Sequence, residues 1–395
     1  MRRHQKISLK IFHLFLLFLS LSAFSDENIV IVISMDGVRY DYPDYVKEGG
    51  FEHIEKKGIR AKALTPVYQS STYPGHVTMA TGVKPDKHGI LHNSFLDRKR
   101  GSFSYSADAS WIESEPVWSI LERKGLKTAT FFWVGSESDW NGNKITYPKA
   151  PFDGKISEKT KTDQILEWID LEVEKRPRLI MSWWHGTDSV AHREGALNKE
   201  VIDQLKKQDR QLLSLIEEIT SRNLWNVVTL IVVSDHGMSD VSNFINLKKI
   251  LKDNSIKGRV STGPAVAHIF LDDLKQIDDA IYTFQKNTKL SVWTKNNIPE
   301  EYNMNHSQRT GDIIITTESP NMLVSRGGSN PPRGMHGYNP SVNKEMEGIF
   351  FALGNKVKNK KIEKVHQLDL TPTILNLFNL MVPNYMNGKI IELKK

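Results

Sequence analysis

Five segments of the chain are apolar at successive positions: Asn28–Ser34, Thr128–Trp133, Leu179–Trp184, Val227–Ser234 and Gly348–Leu353. A strand with one wet face alternates apolar and polar residues, whereas a strand covered on both faces does not. These segments predict a central, mostly parallel sheet. Between them the apolar period lengthens to that of a helix. Pro116–Lys124 stops at Gly125, Thr162–Lys175 follows, and Lys199–Arg222 carries Val201, Leu205, Leu212, Leu215, Ile216 and Ile219 near one face. Thr371-Pro372 predicts a closing helix that reaches Leu380, with threonine as N-cap and proline at the first helical position. Such alternation implies an α/β fold in which helices sandwich the sheet. Residues 250–330 break the rhythm with Asn/Asp/Lys-rich turns and shorter strands, and predict a small inserted lobe.

Composition narrows the function classes. Of 395 residues 39% are hydrophobic, 25% are charged and none is cysteine. This excludes a disordered chain, a disulfide-stapled mini-domain, thiolate metal sites and a cysteine nucleophile. A metal here would be held by oxygen and nitrogen. The formal charge is +7, and Arg2, Arg3, Lys6 and Lys10 supply four of the positive charges with no acid among residues 1–25. They precede an apolar run, Ile11–Leu21, and the small-residue stretch Ser22-Ala23-Phe24-Ser25. That order is the logic of a secretory signal peptide, and the run is shorter than the ~20 residues of a spanning helix. Residues 1–25 are therefore expected to be a signal peptide, residues 26–395 the functional unit, and the location an exported one, periplasmic or secreted. The remaining charge of +3 demands no nucleic-acid partner, and no stable membrane span is expected after cleavage. The basic stretch 355–364 reads as a solvated loop.

Chemistry-bearing residues gather directly after the buried strands. Asp36-Gly37 follows the first segment, Asp188 and His192 the third, and Asp235-His236-Gly237 the fourth. Open α/β sheets place their ligands at strand C-terminal ends. Singly, Asp36-Gly37 is a turn signal, and Asp188 with His192 is an i, i+4 pair on a helical surface. Together with His336 they supply three carboxylates and three imidazoles, enough for two divalent cations with open positions for a substrate. Mixed nitrogen and oxygen ligands suit zinc, with manganese or iron as alternatives. Ser70-Ser71-Thr72-Tyr73-Pro74-Gly75-His76 precedes the apolar segment Val77–Ala80, so its hydroxyls serve as a helix cap or sit where a helix N-terminus favours an anion. A hydroxyl held by a divalent cation ionises near neutral pH and can attack phosphorus.

These segments resemble the nucleotide pyrophosphatase/phosphodiesterase family of the alkaline phosphatase superfamily. The resemblance is carried, in family order, by Met35–Arg39, Thr72–His76, Thr81-Gly82, His88–Ile90 with Asn93, Phe131–Ser136, Asp188–His192, Ser234–Met238, His336–Tyr338 and Leu368–Thr373. It implies an alkaline phosphatase-like fold and two zinc ions. Asp36, Asp235, His236 and the Thr72 hydroxyl would hold one, and Asp188, His192 and His336 the other. It further implies Thr72 as nucleophile, Asn93 as donor to a phosphate oxygen, and a slot for a nucleobase between Tyr73 and Trp183. The implied reaction is a double in-line displacement through a phosphothreonine intermediate, with retention at phosphorus. The expected substrates are small nucleotide phosphodiesters or pyrophosphates; phospholipid-derived diesters such as glycerophosphocholine or lysophospholipid are the alternative. Three positions depart from the family pattern: Tyr73 stands for phenylalanine, Gly75 for asparagine, and Gly186-Thr187 for a Glu-Pro pair, the last bearing on substrate preference.

Overall fold

The structure, a computed structural model, describes residues 27–325, 331–354 and 357–394. The expected signal peptide, residues 1–25, lies outside the described residues. Eight strands form the main sheet, in the order Lys360–Ile362, Ile59–Ala61, Phe350–Gly354, Val228–Val233, Ile29–Met35, Leu179–Trp184, Thr128–Phe131 and Tyr147–Lys149. All run in one direction except Phe350–Gly354, which is antiparallel to both of its neighbours. The sheet is thus mostly parallel, and its one reversed strand is the segment expected at Gly348–Leu353.

The unbroken apolar runs have the expected cause. In Ile29–Met35 the odd positions Ile29, Ile31 and Ile33 pack with Leu205, Leu212, Leu215 and Ile216 of the helix Lys199–Ser221. The even positions Val30 and Val32 pack on the opposite face with Met79 and Ala80 of the helix Thr72–Thr81 and with Ile374 and Leu375 of the helix Leu370–Leu377. Every side chain of the strand is buried because successive residues point to opposite, equally covered faces.

Some boundaries moved for local reasons. The helix expected at Thr162–Lys175 spans Glu158–Ile169, because the Ser157 side chain accepts a hydrogen bond from Thr160 N and starts it earlier. The closing helix begins at Leu370, after a short turn whose capping box is formed by His366 and Asp369. Thr371 is therefore inside the helix and is no cap; its hydroxyl donates to Met79 O at 2.7 Å and pins this helix to Thr72–Thr81.

Between Val228–Val233 and Phe350–Gly354, the strands Gly258–Thr262, Val266–Leu271, Ile313–Thr316 and Ser291–Thr294 form an antiparallel sheet in that order. Their inner residues share a core with Leu251 of the helix Leu247–Asp253 and Phe284 of the helix Ile277–Gln285. Among the described residues no helix is long and apolar enough to cross a membrane.

Candidate active site

Register brings the site together. Ile29–Met35 pairs on one side with Leu179–Trp184, Ser34 opposite Trp183, and on the other with Val228–Val233, Ser34 opposite Val233. The three strands therefore end level, and the residues that follow them fall in one row. Asp36 follows the central strand, and Asp235 and His236 follow the strand on one side. On the other side the chain enters the helix Gly186–Glu194, which carries Asp188 and His192 on successive turns. His336 joins from the lobe side, next to Gly334–Met335, which pairs with Ser239–Asp240. Gly37 permits this convergence: its φ is +69°, and a Cβ there would lie 3.0 Å from Asp188.

The predicted ligands meet. Asp188 Oδ1 lies 3.3 Å from His192 Nε2 and 3.8 Å from His336 Nε2. Asp36 Oδ1 lies 3.3 Å and Asp235 Oδ2 3.5 Å from His236 Nε2. Ligand atoms of Asp188, His192 and His336 all lie within 4.8 Å of one another, as do those of Asp36, Asp188 and His236. Both groups contain Asp188, so the two clusters abut.

The residues fit divalent cations. Asp36 Oδ1, Asp188 Oδ1 and Asp235 Oδ2 are buried without a hydrogen-bond partner, and a buried unpaired carboxylate oxygen costs several kcal/mol, roughly, unless a cation compensates it. The other face of each imidazole is already fixed: His192 Nδ1 lies 2.9 Å from Gly334 O, His236 Nδ1 2.8 Å from Gly237 O and His336 Nδ1 3.0 Å from Ser70 O. Each Nε2 is thereby left facing the carboxylates, the tautomer a metal ligand needs. The electrostatics carry the same strain. Burial, then the charges of Asp235 and Asp188, push the Asp36 carboxyl well above its usual range. Burial alone would raise Asp188 too, but His192 and then His336 and His236 override it and hold it down at about 2. Burial and the neighbouring His236 hold His336 well below the ordinary imidazole value.

Thr72 is the first residue of its helix, and its Oγ1 lies 3.4 Å from His236 Nε2. Of the hydroxyls before it, Ser70 Oγ donates to Tyr338 O at 2.8 Å and Ser71 Oγ has no partner. Asn93 Oδ1 accepts from Tyr73 N at 2.9 Å, which leaves its amide nitrogen as the free donor end. Gly75 packs against the Asp235 backbone, where a Cβ would meet Asp235 O at 2.9 Å; here the departure from the family asparagine has a steric reason.

A cleft of about 810 Å³ opens over these residues. Tyr73 and Trp183, the two expected slot residues, both line it, joined by Phe152, Tyr105 and His185. Trp183 stacks on Phe152 at 4.6 Å, and its indole nitrogen donates to Asp36 Oδ2 at 2.8 Å. Sequence reasoning left out His76, whose Nδ1 lies 2.8 Å from Thr72 O and 3.3 Å from Asp235 Oδ2. Its spacing of four from Thr72 on one helix was the available signal. Phe152 and Tyr105 lie outside helices and strands, where periodicity says nothing.

The arrangement is that of an alkaline phosphatase-like hydrolase. The family model described as type I phosphodiesterase/nucleotide pyrophosphatase matches residues 30–339, and the chain belongs to that family of phosphoric diester hydrolases. Among similar proteins, an uncharacterized pyrophosphatase/phosphodiesterase of Schizosaccharomyces pombe is 29% identical over 361 residues, 86% of this chain and 74% of its own. Venom phosphodiesterase 2 of Crotalus adamanteus is 28% identical over 83% of this chain, which spans only 42% of that enzyme's length. The solved structure of murine ectonucleotide pyrophosphatase/phosphodiesterase 5, described as an inactive threonine-to-alanine variant in complex with AMP, superposes with a TM-score of 0.84 at 28% identity, covering 92% of this chain and 97% of that one.

Proposed function

We propose that the protein is an exported phosphodiesterase and nucleotide pyrophosphatase that holds two zinc ions and works through a threonine-linked phosphoryl intermediate. The observation that supports it most is the convergence of three unpartnered carboxylate oxygens and three oriented imidazoles beside the Thr72 hydroxyl. Asp36, Asp235 and His236 would hold one ion with Thr72, and Asp188, His192 and His336 the other. Such ions supply Lewis acidity to the phosphoryl oxygens and lower the pKa of a bound hydroxyl. Export rests on the pattern of residues 1–25.

The remaining steps belong to the chain. Thr72 gives up its hydroxyl proton, and Oγ1 attacks phosphorus in line with the leaving oxygen. The new O–P bond forms as the old one breaks, and the leaving group departs as an alcohol or phosphate, protonated from solvent. The Asn93 amide donates to a non-bridging oxygen; one donor of this kind is typically worth ~3 kcal/mol in the transition state. Water then attacks phosphorus from the vacated side, its proton returns to Thr72 Oγ1, and a phosphate monoester leaves. Tyr73 and Trp183 flank a base, whose stacking on one ring is worth about 1–3 kcal/mol whatever its identity.

The test is a comparison of kcat/KM for zinc-loaded protein on a nucleotide phosphodiester, a nucleoside triphosphate, glycerophosphocholine and a phosphate monoester. Preference for the two nucleotides is the expected result. Preference for glycerophosphocholine would move the assignment to phospholipid-derived diesters, and preference for the monoester would refute a diesterase.

A further inference from the structure

Trp183 lines the cleft with its ring and at the same time touches a proposed metal ligand with its edge. Its Nε1 donates to Asp36 Oδ2 at 2.8 Å, while Asp36 Oδ1 stays unpartnered, 3.3 Å from His236 Nε2. The indole is fixed independently on several sides. Lys161, fully buried, donates Nζ to the Trp183 carbonyl at 2.7 Å. Phe152 stacks on the ring at 4.6 Å, and His76 stands edge-on at 5.5 Å. A carboxylate with one oxygen tied to a rigid donor cannot rotate, so its second oxygen is aimed in advance. We propose that Trp183 is a positioning residue for the metal site: its indole N–H orients Asp36 toward the ion that Asp36 shares with His236. The wall that would receive a base and the ligand set would then be mechanically one unit, since moving the ring would turn the carboxylate. This inference rests on the two-ion reading given above.

The experiment measures zinc affinity of the full-length mature protein by competition with a chromophoric chelator, with the number of bound ions counted. Trp183→Phe and Trp183→Tyr both retain an aromatic ring but lack a donor at the indole position. Each is expected to weaken one of the two ions by about 10- to 100-fold, the usual effect of removing a partner of a ligand, and to leave the other ion within about threefold. Phe152→Ala, which removes only the stack, is expected to leave both affinities unchanged. Asp36→Asn supplies the decisive background: if Trp183 acts through Asp36, adding Trp183→Phe to it has no further effect on zinc affinity. Unchanged affinity in the single Trp183 variants, equal loss at both ions, or an additive loss in the Asp36→Asn background would each overturn the inference. Wild-type protein that binds no zinc would instead refute the two-ion reading. Should Trp183→Phe fail to fold, Trp183→Tyr and the Asp36→Asn pair with it carry the same decision.

Discussion

Thr72 Oγ1 lies 3.4 Å from His236 Nε2, although 164 residues separate the two in the chain. The contact exists because the helix Thr72–Thr81 packs against one face of the sheet with its first residue at the level of the strand ends. It joins the hydroxyl proposed as nucleophile to the imidazole proposed as metal ligand. Thr72→Ala is expected to lose turnover by several orders of magnitude while keeping both ions, because Asp36, Asp235 and His236 remain. Ser71→Ala is expected to be mild, since Ser71 Oγ has no partner to lose. Steady-state kinetics with parallel metal analysis checks this; near-normal turnover in Thr72→Ala would show that water attacks directly.

His76 supports the same centre from behind. Its Nδ1 lies between Thr72 O, at 2.8 Å, and Asp235 Oδ2, at 3.3 Å. His76→Phe keeps an aromatic body between Trp133 and Trp183 but removes the polar edge, and is expected to lower kcat/KM by about 10- to 100-fold. An effect below twofold would reduce His76 to packing.

Asp209 closes the start of a helix that cannot close itself. Gly49 precedes the helix Gly50–Lys57 without a side chain to cap it, and Asp209 Oδ1 accepts from Phe51 N at 2.8 Å across the interface with Lys199–Ser221. Asp209→Ala leaves that amide unpaired and is expected to cost about 1–2 kcal/mol in urea unfolding. An unchanged midpoint would contradict the capping role.

Lys161 gives stability a pH dependence of known sign. Burial holds its ammonium down at about 8, below its ordinary 10.5, so between those values the unfolded chain binds a proton that the folded chain does not. Stability contributed by this group therefore rises with pH across that window and is flat below it. Lys161→Met is expected to remove the slope. The difference in unfolding free energy between the variant and the wild type should change between pH 7.5 and pH 10, and a constant difference would contradict the assignment.

The sequence was most legible where one physical rule acted alone. The run Ile29–Met35 shows its burial on both faces directly, and the level strand ends made Asp36, Asp188, Asp235, His236 and His336 candidates before any coordinates. Legibility failed where two elements share a job. The helix beginning at Leu370 takes its start from His366 and Asp369, not from the threonine-proline pair, because the Thr371 hydroxyl is committed to Met79 O. Trp183 looked like either core or slot; that it also donates to Asp36 depends on a side-chain direction no spacing encodes. The same holds for Phe152, placed over Trp183 by a loop.

The central claim, attack by Thr72 followed by attack by water, is tested most directly by the stereochemistry at phosphorus. A nucleotide phosphorothioate diester made chiral at phosphorus is hydrolysed in oxygen-18 water, and the product configuration is read by phosphorus NMR. Two in-line displacements in sequence give retention, which is the expected result. Inversion would mean one direct displacement by water and no covalent threonine intermediate.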